Sequence, residues 1–259
     1  MKTISIHSSR GGTGKSLIAV NLAAIYALRG RNVALLDLDF RAPSFSTIFG
    51  LGVYKRINFW LNDFLDGKCS AEEALIDFSD RYGTKGKLLV GFANPGVDAM
   101  REMAAKNRKW QMEALRRLLN LKTSLRNLGV DYVLLDTTPG INYHSVNAVV
   151  SSDISIVVIT MDVLDIEGAR RMISELYDAF EKRTVILANK VAPYHYMSKG
   201  EEEVFKRRLQ VLFKYPLIAV VPCFCDVLQT SRVIILTLES PDHPFVRILD
   251  EVATKLEEL

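Results

Sequence analysis

Short runs of aliphatic and β-branched residues alternate along the chain with longer segments whose apolar positions recur every three to four residues. The runs at 3–7, 32–38, 87–92, 132–136, 154–160, 184–188 and 217–221 predict strands of a buried, parallel sheet. Between them the spacing predicts helices over 15–29, 100–128, 143–150, 166–180 and 201–213, and a final one over 245–258. Strand–helix alternation with no Pro-, Gly- or Ser-rich linker and no internal repeat predicts one doubly wound α/β domain over 1–259, a mostly parallel sheet with helices on both faces. The segment 51–86 is less regular. It reads as a partly helical insertion after the second strand, with short helices at 59–65 and 71–78 around a turn at Asp66-Gly67, packed over the sheet edge or offered to a partner.

Composition narrows the class. With 49% apolar and 24% charged residues among 259, the chain is neither disordered nor a fibrous repeat. Three cysteines, Cys69, Cys223 and Cys225, are too few for a disulfide framework and suit a reducing compartment, so a cytoplasmic location is expected. No signal-peptide core is expected at the N-terminus, and the apolar stretch 154–161 is far short of the roughly 20 residues that span a bilayer. Net charge is only +3, but it is local: between Arg101 and Arg126, eight Lys and Arg face only Glu102 and Glu113. Trp110, Ala114, Leu118, Leu121, Leu125 and Leu128 form one apolar stripe of this helix. The basic arc is either a solvated face or a weak anionic-surface contact, for DNA, an anionic membrane or an acidic partner.

The chemistry starts directly after the first strand. Ser9-Arg10-Gly11-Gly12-Thr13-Gly14-Lys15-Ser16 precedes a helical run beginning at Leu17, the strand–loop–helix order of a phosphate-binding loop. Glycines let backbone N–H groups turn inward around phosphate oxygens, and the helix N-terminus adds donors and the positive end of its dipole. Lys15 can bridge β- and γ-phosphates, and the Ser16 hydroxyl can ligate Mg²⁺. The strict Walker pattern has Gly where this chain has Ser9. Asp136 ends the strand Val133-Leu134-Leu135, where a carboxylate lies beside such a loop and can hold Mg²⁺ through water, or else caps the next segment. Gly140 offers a flexible peptide able to sense a γ-phosphate. Asp37 and Asp39 alternate faces at the end of the second strand, and capping or turn formation before Pro43 is open for both. In Asn189-Lys190-Val191-Ala192 the fourth residue is not acidic, so guanine recognition is disfavoured.

These motifs resemble the MinD/ParA family of deviant Walker A ATPases. Arg10-Gly11-Gly12-Thr13-Gly14-Lys15-Ser16 is similar to its loop, Val33 to Asp39 to its second strand with the Asp-x-Asp ending, Asp136-Thr137-Thr138-Pro139-Gly140 to its Walker B strand and second switch, and Val185 to Lys190 to the strand that ends at adenine. The likeness spans about residues 2–256. It implies ATP and Mg²⁺ as cofactors. The nucleotide would be held by Gly11, Gly12, Thr13, Gly14, Lys15, Ser16, Leu17, Asn189 and Pro222, and the metal by Ser16, Asp39 and Asp136. It also implies catalysis by Lys15, by Asp39 at the attacking water, and by Arg10 reaching across a homodimer with ATP sandwiched between protomers. Arg10 stands where the family usually has lysine. The function so implied is an ATP-dependent dimerisation switch with slow, partner-stimulated ATPase activity that positions or partitions a cellular assembly. The alternative is a nucleotide-binding dimeric scaffold with little hydrolysis. Some relatives in the superfamily hold metal with cysteine pairs. Cys223-Phe224-Cys225 permits this, although buried small hydrophobes near the base pocket are the simpler expectation. The acidic end, Asp250 to Leu259, is unlike the basic membrane helix of septum-placing relatives, so no C-terminal membrane targeting is expected.

Overall fold

The computed structural model describes residues 1–192, 197–229 and 235–259, with 228 and 229 as backbone only. Strands β1 (Lys2–His7), β2 (Val33–Leu38), β3 (Leu75–Asp77), β4 (Leu88–Gly91), β5 (Tyr132–Thr137), β6 (Ile154–Ile159), β7 (Arg183–Val191) and β8 (Leu217–Pro222) form one sheet in the order β3-β4-β2-β5-β1-β6-β7-β8. All neighbours are parallel except β3 with β4. The helices are α1 (Lys15–Leu28), α2 (Phe45–Ile48), α3 (Leu61–Asp66), α4 (Ser79–Tyr82), α5 (Val97–Ala105), α6 (Arg108–Asn127), α7 (Tyr143–Ser151), α8 (Val163–Met172), α9 (Lys199–Phe213), α10 (Cys225–Gln229), α11 (Leu236–Glu239) and α12 (Pro244–Glu258).

Alternation along each strand divides the core. Val33 and Leu35 of β2 join Ile4, Ile6 and Leu134 beneath α1 and α12, while Ala34 and Leu36 face α3 and α6 on the other side. Farther along that second face, Val157, Ile159 and Ile186 pack against α8 and α9. The apolar side of α12, from Phe245 to Leu256, is buried in the first of these clusters.

Two expected helices are corrected. The segment 71–78 is not a helix: Leu75, Ile76 and Asp77 pair antiparallel with Gly91, Val90 and Leu89. The free edge of β4 satisfies their backbone groups, a long-range partner that outweighs local propensity. The long basic helix over 100–128 is broken in two. Lys106 is extended, and the Asn107 side chain accepts from Trp110 N at 3.0 Å to cap α6. The corner is tied to α3, since Lys106 Nζ and Trp110 Nε1 each donate to Asp66 Oδ1 at 2.8 Å. The apolar stripe of α6 does face inward, with Ala114, Leu118, Leu121 and Leu125 buried.

Candidate nucleotide-binding site

The loop between β1 and α1 lies at the carboxyl ends of the central strands. Gly14 takes φ 97° as it opens α1, and a Cβ there would sit 2.4 Å from Asn189 Nδ2. Only glycine meets both demands. Asn189 Nδ2 donates to Thr13 O at 2.7 Å and Lys190 Nζ to Gly12 O at 2.8 Å, so the end of β7 braces the loop from outside. Lys15 is 6% exposed and donates to Ser8 Oγ at 2.9 Å. Burial lowers the pKa of its ammonium, while the carboxylates of Asp136, Asp39 and Asp165 pull it back up.

A cleft of about 450 Å³ is lined by Gly11, Gly12, Gly14, Lys15, Ser16, Leu17, Asp39, Arg41, Ala42, Pro139 and Lys190. Beside it, a pocket of about 110 Å³ is lined by Gly14, Leu17, Asn189, Lys190, Pro222, Phe224, Val227 and Phe245. The first has the glycines and cation that phosphates need. The second has the flat apolar walls that suit a base. Asn189 and Pro222 thus meet in one pocket, although Asn189 spends its amide nitrogen on the loop.

The acidic residues separate into distinct roles. Asp136 is fully buried, and neither carboxylate oxygen has a hydrogen-bond partner among the described residues. The Ser16 hydroxyl lies close enough to lower its pKa without closing a bond of good geometry. Burial dominates, and the carboxyl is pushed up to about 7. An orphaned buried carboxylate beside a serine hydroxyl fits Mg²⁺, which takes few protein ligands and completes its shell with water and substrate phosphates. Asp37 stands opposite Asp136 in the β2–β5 register. Its oxygens accept from the backbone N–H groups of Asp39, Ser44 and Phe45 at 3.1–3.2 Å, which is the capping alternative. Burial holds its carboxyl well above the usual carboxylate range, with the neighbouring Asp136 adding to the effect. Half-buried Asp39 faces the cleft, and its Oδ1 accepts from Arg41 N and Ala42 N.

Arg10 does not extend freely towards a second copy. Its Nη1 lies 3.1 Å from Asp162 Oδ1, which also caps α8 through Leu164 N and Asp165 N. With both side chains more than half exposed, the pair contributes about 0–1 kcal/mol. Ser9, the departure from the strict Walker pattern, is locked in place: its Oγ donates to the buried Asp165 Oδ1 at 2.6 Å. The cysteine pair is corrected too. Cys223 is half-buried and Cys225 exposed, because Cys225 starts α10 beyond the end of β8. The motif reading missed Lys190, Phe224, Val227 and Phe245. Lys190 follows Asn189 directly and was open to recognition, whereas Phe245 enters from α12 and had no local signal.

Comparison with known proteins agrees with this geometry. The family described as AAA domain matches residues 1–188. An uncharacterized ATP-binding protein of Methanocaldococcus jannaschii is 30% identical over 256 residues, covering 98% of this chain and 86% of that protein. The septum site-determining protein MinD of Thermotoga maritima is 28% identical over 238 residues, 88% of this chain and 78% of the relative. MinD from Pyrococcus horikoshii, solved with Mg-ADP, shares the fold with TM-score 0.73 at 22% identity, over 99% of this chain and 96% of that one. With a phosphate loop, a pocket suited to a base and a buried carboxylate without hydrogen-bond partners assembled as described, the chain belongs to the MinD/ParA family of P-loop ATPases.

Proposed function

We propose that two copies of this chain bind ATP face to face, hydrolyse it slowly under the stimulus of a partner protein, and so switch the placement of another cellular assembly in the cytoplasm. The observation that carries this reading is the surface around the cleft mouth. Val163 and Leu164 are 71% and 65% exposed and directly follow Asp162, the partner of Arg10. Ile141 and Tyr143 are 47% and 55% exposed and follow Gly140, whose N–H donates to Ser8 O. Exposed apolar residues flanking a charged ligand cleft suit a second protein surface that closes over it. The septum-site name of the Thermotoga relative supports a positioning role, and the Mg-ADP in the Pyrococcus relative supports the nucleotide and the metal.

Lys15 then holds the β- and γ-phosphates in cis, and loop N–H groups at 11–16 surround the phosphate oxygens. Ser16 and Asp136 would hold Mg²⁺, which supplies charge neutralisation at those oxygens. Asp39, open to the cleft, orients a water. Among the described residues the base pocket presents no carboxylate to a guanine 2-amino group, which favours adenine. Exposed Arg108, Lys109, Arg116 and Arg126 leave a cationic strip on α6 for an anionic contact. A second reading, a nucleotide-dependent scaffold with little turnover, is favoured by one feature, the engagement of Arg10 with Asp162 in its own protomer.

Titration calorimetry with ATP and GTP, and sedimentation with ATP, with ADP and without nucleotide, test the reading. Preference for ATP and a dimer confined to the ATP state are expected. Equal affinity for GTP, or equal dimerisation in all three conditions, refutes it. Single-turnover hydrolysis separates switch from scaffold.

A further inference from the structure

Three side chains on the approach to the loop glycines reach the same structural unit. Arg10 pairs with Asp162 and Ser9 with Asp165, at the start of α8. His7 meets Tyr177 at the end of the π turn Ile173–Tyr177 that continues α8. The first two contacts lie at the cleft. The third is buried, and no step proposed above uses it.

The protons of this contact are assigned by elimination. His7 Nε2 lies 3.0 Å from Gly140 O, and a carbonyl oxygen only accepts, so Nε2 carries the hydrogen. His7 Nδ1 is then bare and accepts from the Tyr177 hydroxyl at 2.6 Å. Both residues are completely buried. Burial keeps the imidazole neutral, lowering its pKa to about 4, so the arrangement persists at neutral pH. An imidazole in the apolar interior is costly unless both nitrogens are satisfied, and here one partner is the second-switch turn and the other is α8.

Each end of the chain Tyr177–His7–Gly140 lies at an irregular turn of the backbone. Gly140 holds φ 75°, donates from N–H to Ser8 O at 2.8 Å, and receives Ser145 Oγ at 2.6 Å on the same carbonyl as His7. The two bonds hold the two peptide groups that meet at the Gly140 Cα, so a rotation about the φ of this glycine disturbs the carbonyl His7 holds. At the other end, Asp178 N bonds Ile173 O in an i→i+5 bond, and such a turn has a tighter α register available to it. We propose that His7 and Tyr177 are positioning residues that couple the Gly140 turn to the π turn of α8, so that the nucleotide state reaches the helix presenting Asp162, Val163 and Leu164. The inference rests on the ATP-switch reading and names the route by which the switch reaches the dimer face.

Hydrogen exchange of the full chain with Mg²⁺ and either ADP or a non-hydrolysable ATP analogue tests it. In the wild type the analogue slows exchange at 10–17, 138–145 and 163–177 relative to ADP. Tyr177→Phe keeps the buried ring and removes only the hydroxyl. It retains protection at 10–17 and 138–145 but loses roughly threefold or more of that at 163–177. Its kcat falls about tenfold at unchanged KM for ATP, because positioning is lost and binding is not. His7→Gln, which offers an amide N–H to Gly140 O and a carbonyl to Tyr177, restores the coupling, and His7→Leu does not. Protection at 163–177 equal to wild type in Tyr177→Phe overturns the relay alone. Absence of nucleotide protection at 10–17 in the wild type removes the switch reading, and the relay with it.

Discussion

Replacing Asp136 with Asn should stabilise the nucleotide-free protein while abolishing its response to Mg²⁺ and ATP. The folded carboxyl is fully buried, and burial, only partly offset by Ser16 and the Lys15 ammonium, raises it from 3.8 to about 7. In the unfolded chain it titrates near 3.9. Between these two pH values the folded state keeps a proton that the unfolded state has lost, so unfolding free energy falls as pH rises, and the penalty is complete above about pH 7. A gap of this size corresponds to about 4 kcal/mol. Asparagine keeps the shape and removes the charge, but its buried NH₂ lacks a partner, at about 1–3 kcal/mol. The net expectation is a variant more stable by about 1–3 kcal/mol at pH 8, or roughly 3–10 °C in Tm for a chain of this size. At pH 5 only about 1.5 kcal/mol of the penalty has accumulated, which the unpaired asparagine amide offsets, so the advantage disappears. Removing the Asp136 charge also relieves Asp37 on the adjacent strand, whose carboxyl it helps to hold high, and this acts in the same direction. Thermal and urea unfolding at pH 5 and 8, with and without Mg²⁺ and ATP, measure it. The nucleotide should raise the wild-type Tm only. A variant no more stable than wild type at pH 8, with the same pH slope, would refute the reasoning.

Lys15→Ala removes the buried cation of the loop and should reduce ATP affinity by at least about tenfold in calorimetry while leaving the far-ultraviolet spectrum unchanged. Gly14→Ala forces a Cβ to 2.4 Å from Asn189 Nδ2 at φ 97°, and loss of the Asn189–Thr13 contact together with nucleotide binding is expected in heteronuclear NMR of the Asn189 amide. Asp39→Ala should preserve ATP binding and lower single-turnover hydrolysis by roughly 10²–10⁴-fold; unchanged turnover removes Asp39 from the chemistry. Asn107→Ala deletes the cap that starts α6 and should cost about 1 kcal/mol in urea unfolding, with no effect on nucleotide affinity.

The phosphate loop was legible because its chemistry is local. Glycines at 11, 12 and 14, Lys15 and Ser16 follow one strand and open one helix, and short-range spacing is enough to place backbone donors, cation and hydroxyl together. The alternation of apolar runs likewise specified the parallel sheet, since strands covered on both faces have a composition of their own. Spacing cannot supply partners that arrive from elsewhere in the chain. Arg10 reads as a residue free to cross a dimer, yet its cis partner Asp162 lies 152 positions away. Spacing alone leaves capping open for both Asp37 and Asp39, and only the resemblance singles out Asp39; the turn after β2 delivers the N–H groups of Ser44 and Phe45 to Asp37 alone and leaves Asp39 at the cleft. Residues 71–78 have helical character that yields to the unpaired edge of β4, and the basic helix breaks where Asp66 draws Lys106 and Trp110 onto α3. His7 is the last residue of the first predicted strand, with no local signal of a role, and becomes a satisfied, neutral link only when Tyr177 and Gly140 converge on it from 170 and 133 residues away. Periodicity records which residues must leave water, but hydrogen-bond satisfaction and charge burial are decided by the groups that folding brings into contact.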